Sequence, residues 1–287
     1  MKQLNLFIEL TRIKKPIGFM LLFWPCAWGL TLAYDFSNNL NNYFFYLTLF
    51  FLGSVLMRSA GCIVNDIFDK DFDKKVSRTK NRPIASKKIS IKLGLTYAIF
   101  LCFLALLVLL NFNIFTVVLA FASMPLAFSY PLMKRFTYWP QLFLGITFNY
   151  GLILGWVCIT NQIEFIPIIL YIGAIFWTLG FDTIYGFQDI KDDEIIGVKS
   201  TSIKFKKNPK LFLIICYSIF MMSLITTGFF MKFSSVFYLS LSIPIFHLFL
   251  SQIYNFNFKD PENSLKIFKS NNLLGGIILL NILVGKV

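Results

Sequence analysis

Acidic side chains are placed very unevenly along this chain. Asn65, Asp66, Asp69, Asp71 and Asp73 make one polar stretch, and Asp182, Asp189, Asp192, Asp193 and Glu194 make another; the two hold nine of the 14 acidic residues. Each contains D-x-x-x-D, as Asp69/Asp73 and Asp189/Asp193. Residues i and i+4 share a helix face, so each pair can aim two carboxylates at one point. Two such pairs facing one another would hold hard divalent cations, and a magnesium site usually takes its remaining ligands from phosphate and water. The chemistry implied is the handling of a diphosphate, with Asp66, Asp69, Asp73, Asp182, Asp189 and Asp193 as candidate metal ligands and catalytic residues.

Basic and amide side chains follow each stretch. Arg78, Lys80, Asn81, Arg82 and Pro83 come after the first, Lys191, Lys199, Ser200 and Thr201 after the second, and Lys134-Arg135 lies between them. Such donors stabilise the negative charge that develops on a departing diphosphate. Interfacial lysines also arise from membrane topology alone, which is the simpler account of any single one; Arg82 beside a proline and the Lys134-Arg135 pair favour function. Arg58 lies two helical turns before Asn65, deeper on the same face. A lone guanidinium there either pairs with an aspartate or binds a substrate carboxylate through its planar fork.

These residues must be positioned by membrane helices. The 287 residues are 57% hydrophobic and 14% charged, with mean hydropathy +0.69, whereas ordinary soluble domains are about 25% charged. Apolar runs near the ~20 residues that cross a bilayer recur near 17–34, 43–64, 92–110, 113–131, 138–160, 165–186, 211–230, 233–253 and 271–286. The expectation is an all-α polytopic membrane protein of about nine helices. Ionisable residues in such a setting are a functional signal by default.

The basic residues test the helix count. With the N-terminus cytoplasmic, all of the 27 except Arg58, Lys232 and Lys286 fall in cytoplasmic segments, as the positive-inside rule requires. Both acidic stretches then face the cytoplasmic side of a bacterial inner membrane, or lie in the mitochondrial inner membrane. The net charge of +13 is explained by this bias and by anionic lipid headgroups; nucleic acid is not expected as a partner. Residues 1–16 and the apolar run after them read as a first helix rather than a cleaved signal. Cys26, Cys62, Cys102, Cys158 and Cys216 lie in five different spans without metal-ligand spacing and read as apolar filler. His247, alone in the eighth span, reads as a packing or capping residue.

The two acidic stretches end the second and sixth helices, each the second of a four-helix set. One domain, 1–287, is therefore expected to contain parallel pseudo-repeats, roughly 1–135 and 136–253, related about the membrane normal and enclosing a central cavity. The longest polar stretch, 65–91, is expected to be a loop, a candidate lid.

Arg58-Ser-Ala-Gly-Cys-Ile-Val-Asn65-Asp66-x-x-Asp69-x-x-x-Asp73 resembles the first signature of the UbiA superfamily of intramembrane aromatic prenyltransferases. Asp182-x-x-Tyr185-x-x-x-Asp189-x-x-x-Asp193, followed by Gly197-Val-Lys199-Ser-Thr, resembles the second, and Asn81-Arg-Pro-Ile84 and Tyr130-Pro-Leu-Met-Lys-Arg135 are further matches. The stretches beginning at Arg58 and Tyr130 look most like the branch that prenylates 4-hydroxybenzoate in ubiquinone biosynthesis. The resemblance implies that the six aspartates hold Mg²⁺ bridging a polyprenyl diphosphate. It implies that Asn65, Arg78, Arg82, Lys134 and Arg135 orient the diphosphate or the aromatic acid, with Tyr185 and Lys199 also binding substrate and Arg58 taking the acid's carboxylate. The partners expected are these two substrates and membrane lipid; oligomeric state is not readable from such a sequence. A sister enzyme using another acceptor, such as 1,4-dihydroxy-2-naphthoate, homogentisate or protohaem, is the nearest alternative, and a divalent-cation transporter the distant one. Transport sites typically sit near the bilayer midplane on broken helices, whereas these aspartates sit at helix ends beside basic loops.

Overall fold

In the computed structural model, which describes residues 2–286, the chain is an all-helical bundle. The first half comprises α1 (Lys2–Thr11), α2 (Ile17–Ala33), α3 (Leu40–Asp73), α4 (Ile91–Leu109), α5 (Ile114–Ala122) and α6 (Met124–Phe136). The second comprises α7 (Pro140–Thr160), α8 (Phe165–Gly186), α9 (Ile190–Ile196), α10 (Thr201–Lys204), α11 (Pro209–Phe230), α12 (Ser235–Ser240), α13 (Ser242–Ile245), a π-helix (Phe246–Tyr254) and α14 (Pro261–Lys286). Eight helical segments among the described residues are long and apolar enough to cross a membrane, and the 17-residue α2 is a shorter ninth. The protein is therefore integral to a membrane, with about nine crossings.

Four segments depart from the expected spans. The helix that carries the first acidic stretch does not stop before it: α3 runs 34 residues to Asp73, about 51 Å at 1.5 Å per residue, against a hydrocarbon core of about 30 Å. Its last turns can thus leave the membrane as helix, and the connecting segment begins at Lys74 rather than at residue 65. The final helix begins at Pro261, ten residues early; Ser264 in its first turns is buried, while Glu262, Lys266 and Lys269 are exposed, as a helix end that leaves the membrane allows. The 233–253 run is broken by Pro244, which removes the backbone donor to Ser240; helix resumes as α13 and then widens into the π-helix. Likewise Pro125 and Pro131 divide and bend the α5–α6 crossing.

Helix ends are closed locally. Asn39, Ser90, Asn113 and Ser200 cap α3, α4, α5 and α10 with side-chain oxygens, each accepting an otherwise orphaned N–H. Gly197 ends α9 at φ 78°, a left-handed conformation that glycine adopts without strain.

The core gathers around Trp28, Trp177 and Phe220 from α2, α8 and α11, with ring centroids 5.1 to 6.1 Å apart. Close backbone approach ties α2 to α7: a Cβ on Gly29 would lie 2.0 Å from the Leu152 carbonyl oxygen, and one on Gly155 2.3 Å from that of Cys26. Small residues at helix contacts are the membrane route to tight packing. α14 is stitched to α2 by Trp24 donating to Asn272 (3.0 Å) and Trp28 to the Gly275 carbonyl (3.0 Å). At its far end Lys286 donates to the Thr31 and Leu32 carbonyls, a cation on the negative terminus of α2. Phe100, Phe103, Leu107, Phe229 and Leu239 are exposed, as lipid-facing residues should be.

Candidate active site

α3 presents Asp66, Asp69 and Asp73 inward because they repeat at three and four residues; they are 1%, 3% and 6% exposed. Asp71, off that face, is exposed and pairs with Lys74 at 2.9 Å. On the other side, Asp182 lies in the last turns of α8, Asp189 stands just before α9 and Asp193 lies one turn on, its backbone N–H bonded to the Asp189 carbonyl at 2.9 Å. The D-x-x-x-D face survives there even though α8 ends at Gly186.

The segment that follows the first acidic stretch meets the second. Arg78, from the segment after α3, donates through Nε to Asp189 Oδ1 (2.9 Å) and Oδ2 (3.1 Å) and through Nη1 to the Tyr185 hydroxyl (3.2 Å). The Ser77 amide donates to Asp192 Oδ2 at 3.0 Å. Desolvation opposes the Arg78 charge, but its bonds to Asp189 and Tyr185 prevail and raise its pKa.

Cations hold the first stretch as well. Arg82 Nη1 donates to both oxygens of Asp73 (3.0 and 2.8 Å) and to Asp66 Oδ1 (3.2 Å). Lys134 pairs with Asp69 Oδ2 at 2.5 Å, and Asn65 donates to the same oxygen at 3.0 Å. The structure thus brings Asn65, Arg78, Arg82, Lys134 and Tyr185 into one cluster with the carboxylates.

Arg135 and Lys199 are not brought in. Arg135 donates to the Phe68 carbonyl at 2.9 Å and stands over Phe72. Lys199 donates to the Phe136 carbonyl at 3.2 Å and stands over Tyr138. Both lie at the rim.

Arg58 makes no ion pair among the described residues. Its guanidinium stands 5.3 Å from the Phe148 ring centroid, and Gly18 makes room for it: a Cβ there would lie 2.7 Å from Nε. Asp182 and Asp193 likewise form no side-chain hydrogen bond or ion pair among the described residues. Burial and the neighbouring Asp189 charge push Asp193 up to about 6.

One site residue was not foreseen. Arg12, in the turn between α1 and α2, is ion-paired to Asp66 and adopts φ 56°. In the sequence it looks like one of several N-terminal basic residues; only the packing of α1 on α3 carries it to an aspartate 54 positions away.

Among the described residues, no three of His, Cys, Asp or Glu are gathered to ligate one ion; Asp66, Asp69, Asp73 and Asp189 are instead partnered by Arg or Lys. The donor set nevertheless suits magnesium: every candidate ligand is a hard carboxylate oxygen. Asp69 Oδ1 is buried without a partner among the described residues, and such an atom is costly unless something fills its lone pairs.

The UbiA prenyltransferase family matches residues 22–274. The chain is 42% identical over 286 residues to "4-hydroxybenzoate polyprenyltransferase, mitochondrial" of Bos taurus, covering 99% of this chain and 76% of that protein. It is 40% identical over 289 residues to the Homo sapiens protein of the same name (99% and 76%). It is 40% identical over 292 residues to "4-hydroxybenzoate geranyltransferase 2" of Lithospermum erythrorhizon (99% and 92%). Among solved structures, an apo UbiA homologue from Aeropyrum pernix K1 superimposes with TM-score 0.75 at 21% identity (93% and 98% covered). One from Archaeoglobus fulgidus bound to GPP and Mg²⁺ superimposes with TM-score 0.71 at 16% identity (98% and 98%). These two share the fold.

Proposed function

This chain belongs to the UbiA prenyltransferase family, and we propose that it transfers a polyprenyl group from polyprenyl diphosphate to 4-hydroxybenzoate, at the ring carbon ortho to the hydroxyl, in ubiquinone biosynthesis. The relatives at about 40% identity over nearly the whole chain carry that activity in their names. The single structural observation that carries the reading is the bond from Arg78 to Asp189, which fastens the segment following the first acidic stretch to the second stretch at one end of an apolar bundle.

Asp66, Asp69, Asp73, Asp182, Asp189 and Asp193 are the residues that would hold Mg²⁺. When bound, the metal would neutralise the diphosphate and favour its departure. Arg78, Arg82 and Lys134 are at present partnered by carboxylates. Incoming diphosphate offers those cations phosphate oxygens, which guanidinium and ammonium groups bind strongly. Asn65 holds Asp69 in place, and Arg135 and Lys199 guard the rim.

In the reaction, the allylic C–O bond breaks and its electron pair leaves with the diphosphate. The ring carbon ortho to the hydroxyl attacks the allylic carbocation, and loss of the ring proton restores aromaticity. Arg58, without an ion pair among the described residues and deeper on the α3 face, anchors the acid's carboxylate and so points the ring at the allylic carbon. Segment 74–90, fastened to the second half by Ser77 and Arg78, excludes water from the cation.

The basic residues orient this end of the bundle toward the cytoplasmic side of a bacterial inner membrane, or place the protein in the mitochondrial inner membrane. The division into pseudo-repeats 1–135 and 136–253 belongs to the same reading.

The test is product formation by membranes containing the protein, given radiolabelled 4-hydroxybenzoate and a polyprenyl diphosphate, with magnesium or with chelator. Magnesium-dependent transfer of label to a lipid-extractable product is expected. Turnover of 1,4-dihydroxy-2-naphthoate with none of 4-hydroxybenzoate would overturn the acceptor.

A further inference from the structure

Trp177, Phe181 and Tyr185 lie four residues apart on α8, and Asp189 follows four residues later, just beyond its end. They form one stripe that descends from the acidic site into the apolar core. α14 grips that stripe along its length. Trp177 donates from Nε1 to Asn271 Oδ1 at 2.8 Å. Phe268, three residues before Asn271, packs on Phe181 (5.8 Å between centroids) and on Tyr185 (4.4 Å). Tyr185 in turn accepts from Arg78, which holds Asp189.

Asn271 is itself held. Its Nδ2 donates to the Ile267 and Phe268 carbonyls at 3.2 Å, and its Oδ1 also accepts from Gln252 Nε2 at 3.1 Å. Gln252 Oε1 accepts from the Tyr217 hydroxyl at 2.7 Å, and Gln252 Nε2 lies 3.2 Å from His247 Nδ1. The π-helix brings His247 and Gln252 together, since its repeat returns position i+5 toward position i. All five polar side chains are buried, and Trp177 Nε1, Asn271 Oδ1 and both polar atoms of Gln252 are bonded within the network. Such a buried network fixes orientation in a way that apolar packing does not.

We propose that Asn271 is a positioning residue for the acidic site: bonded to Trp177, it sets the rotation of α8 and thereby the aim of Tyr185 and Asp189. The proposal rests on the reading that this site binds a prenyl diphosphate. An α-helix turns about 100° per residue, so a modest rotation of α8 swings both Asp182 and Asp189 away from the first stretch.

The test compares Asn271→Leu with Asn281→Leu. Asn281 is a second buried asparagine of α14, at the opposite end of the bundle, where it donates to Ser240 Oγ at 2.7 Å. Both variants remove a buried hydrogen bond from the same helix. Binding of a non-reacting thiolo analogue of geranyl diphosphate with magnesium is measured by calorimetry on detergent-solubilised protein, alongside Tm. Asn271→Leu is expected to weaken binding roughly tenfold or more, as loss of an outer positioning partner does, with a matching rise in KM for the diphosphate; Asn281→Leu is expected to leave affinity unchanged. Trp177→Phe, which keeps the ring and loses the donor, should act in the same direction, and the double variant should be no worse than Asn271→Leu because one bond is lost in both. If Asn271→Leu does not fold, Trp177→Phe carries the comparison. Wild-type affinity in the Asn271 and Trp177 variants, or equal weakening by Asn281→Leu, would overturn the positioning role. Wild-type protein that ignores the analogue would overturn the proposed function instead.

Discussion

Arg78 lies along the Asp189 carboxylate, with Nε 2.9 Å from Oδ1 and 3.1 Å from Oδ2. The two residues belong to opposite halves of the chain, so this contact converts two acidic stretches into one site. It also sets a competition: a guanidinium bound to a carboxylate must exchange it for phosphate when substrate arrives.

Replacing Arg78 therefore tests the diphosphate end of the site. Arg78→Ala is expected to raise KM for the prenyl diphosphate about tenfold or more while KM for the aromatic acid stays near wild type. Arg78→Lys should recover little of the loss, because an ammonium lacks the planar fork. Steady-state kinetics with each substrate varied in turn reads this, and an equal rise in both KM values would remove the assignment.

Arg58 makes the complementary prediction. Among the described residues it forms no ion pair, its guanidinium standing over Phe148 instead, so Arg58→Leu breaks no salt bridge and should fold. A charge-assisted hydrogen bond contributes about 1.5–3 kcal/mol, equivalent to a KM rise of roughly ten- to a hundredfold for the aromatic acid. A variant that lost only diphosphate affinity would contradict the role.

Asp69 is the sharpest test of metal binding. Its Oδ2 accepts from Asn65 and pairs with Lys134, while its Oδ1 has no partner among the described residues. Asp69→Asn preserves shape and removes the charge, and is expected to abolish turnover and weaken magnesium binding, with the helical circular dichroism unchanged. Near-normal activity in this variant would rule out a metal-bridging role.

Close packing makes a paired prediction for stability. At Gly29 an added Cβ would meet backbone, the Leu152 carbonyl oxygen at 2.0 Å, whereas at Gly53 nothing lies within 4 Å. Gly29→Ala should cost about 1–3 kcal/mol by overpacking, and Gly53→Ala should be neutral or stabilising by up to about 1 kcal/mol. Tm in detergent measures both.

Much of the site could be read in the sequence because its donors are few and its background apolar. Aspartates in a chain this hydrophobic stand out, and their D-x-x-x-D spacing already specified a shared face. Arg12 did not stand out, since its role depends on how α1 folds back on α3 rather than on any spacing. The spacing of Asp69 and Asp73 already placed them on a helix, but the polar composition of 65–91 read as loop, although a helix leaving the membrane needs no apolar residues. Phe268 and Asn271 were invisible for the opposite reason: one more phenylalanine among 35, and a polar residue in a span that looked shorter than it is. The π-helix follows from Pro244 only once the neighbouring helices are in place.

The last prediction concerns pH. Asp193 lies outside the spanning helices, and burial together with the Asp189 charge raises its folded pKa from 3.8 to about 6. Between those two values the folded, metal-free protein holds a proton that the unfolded chain has lost, so Asp193's contribution to stability falls as pH rises through that window. Magnesium reverses the slope, because it binds the ionised carboxylate and must displace the proton. The Tm increase produced by millimolar magnesium is therefore expected to be small at pH 5 and larger at pH 7.5, with calorimetry near pH 6 showing proton release on binding. Asp193→Asn should flatten that dependence. A magnesium effect on Tm that was the same at both pH values would show that Asp193 does not exchange its proton for the ion.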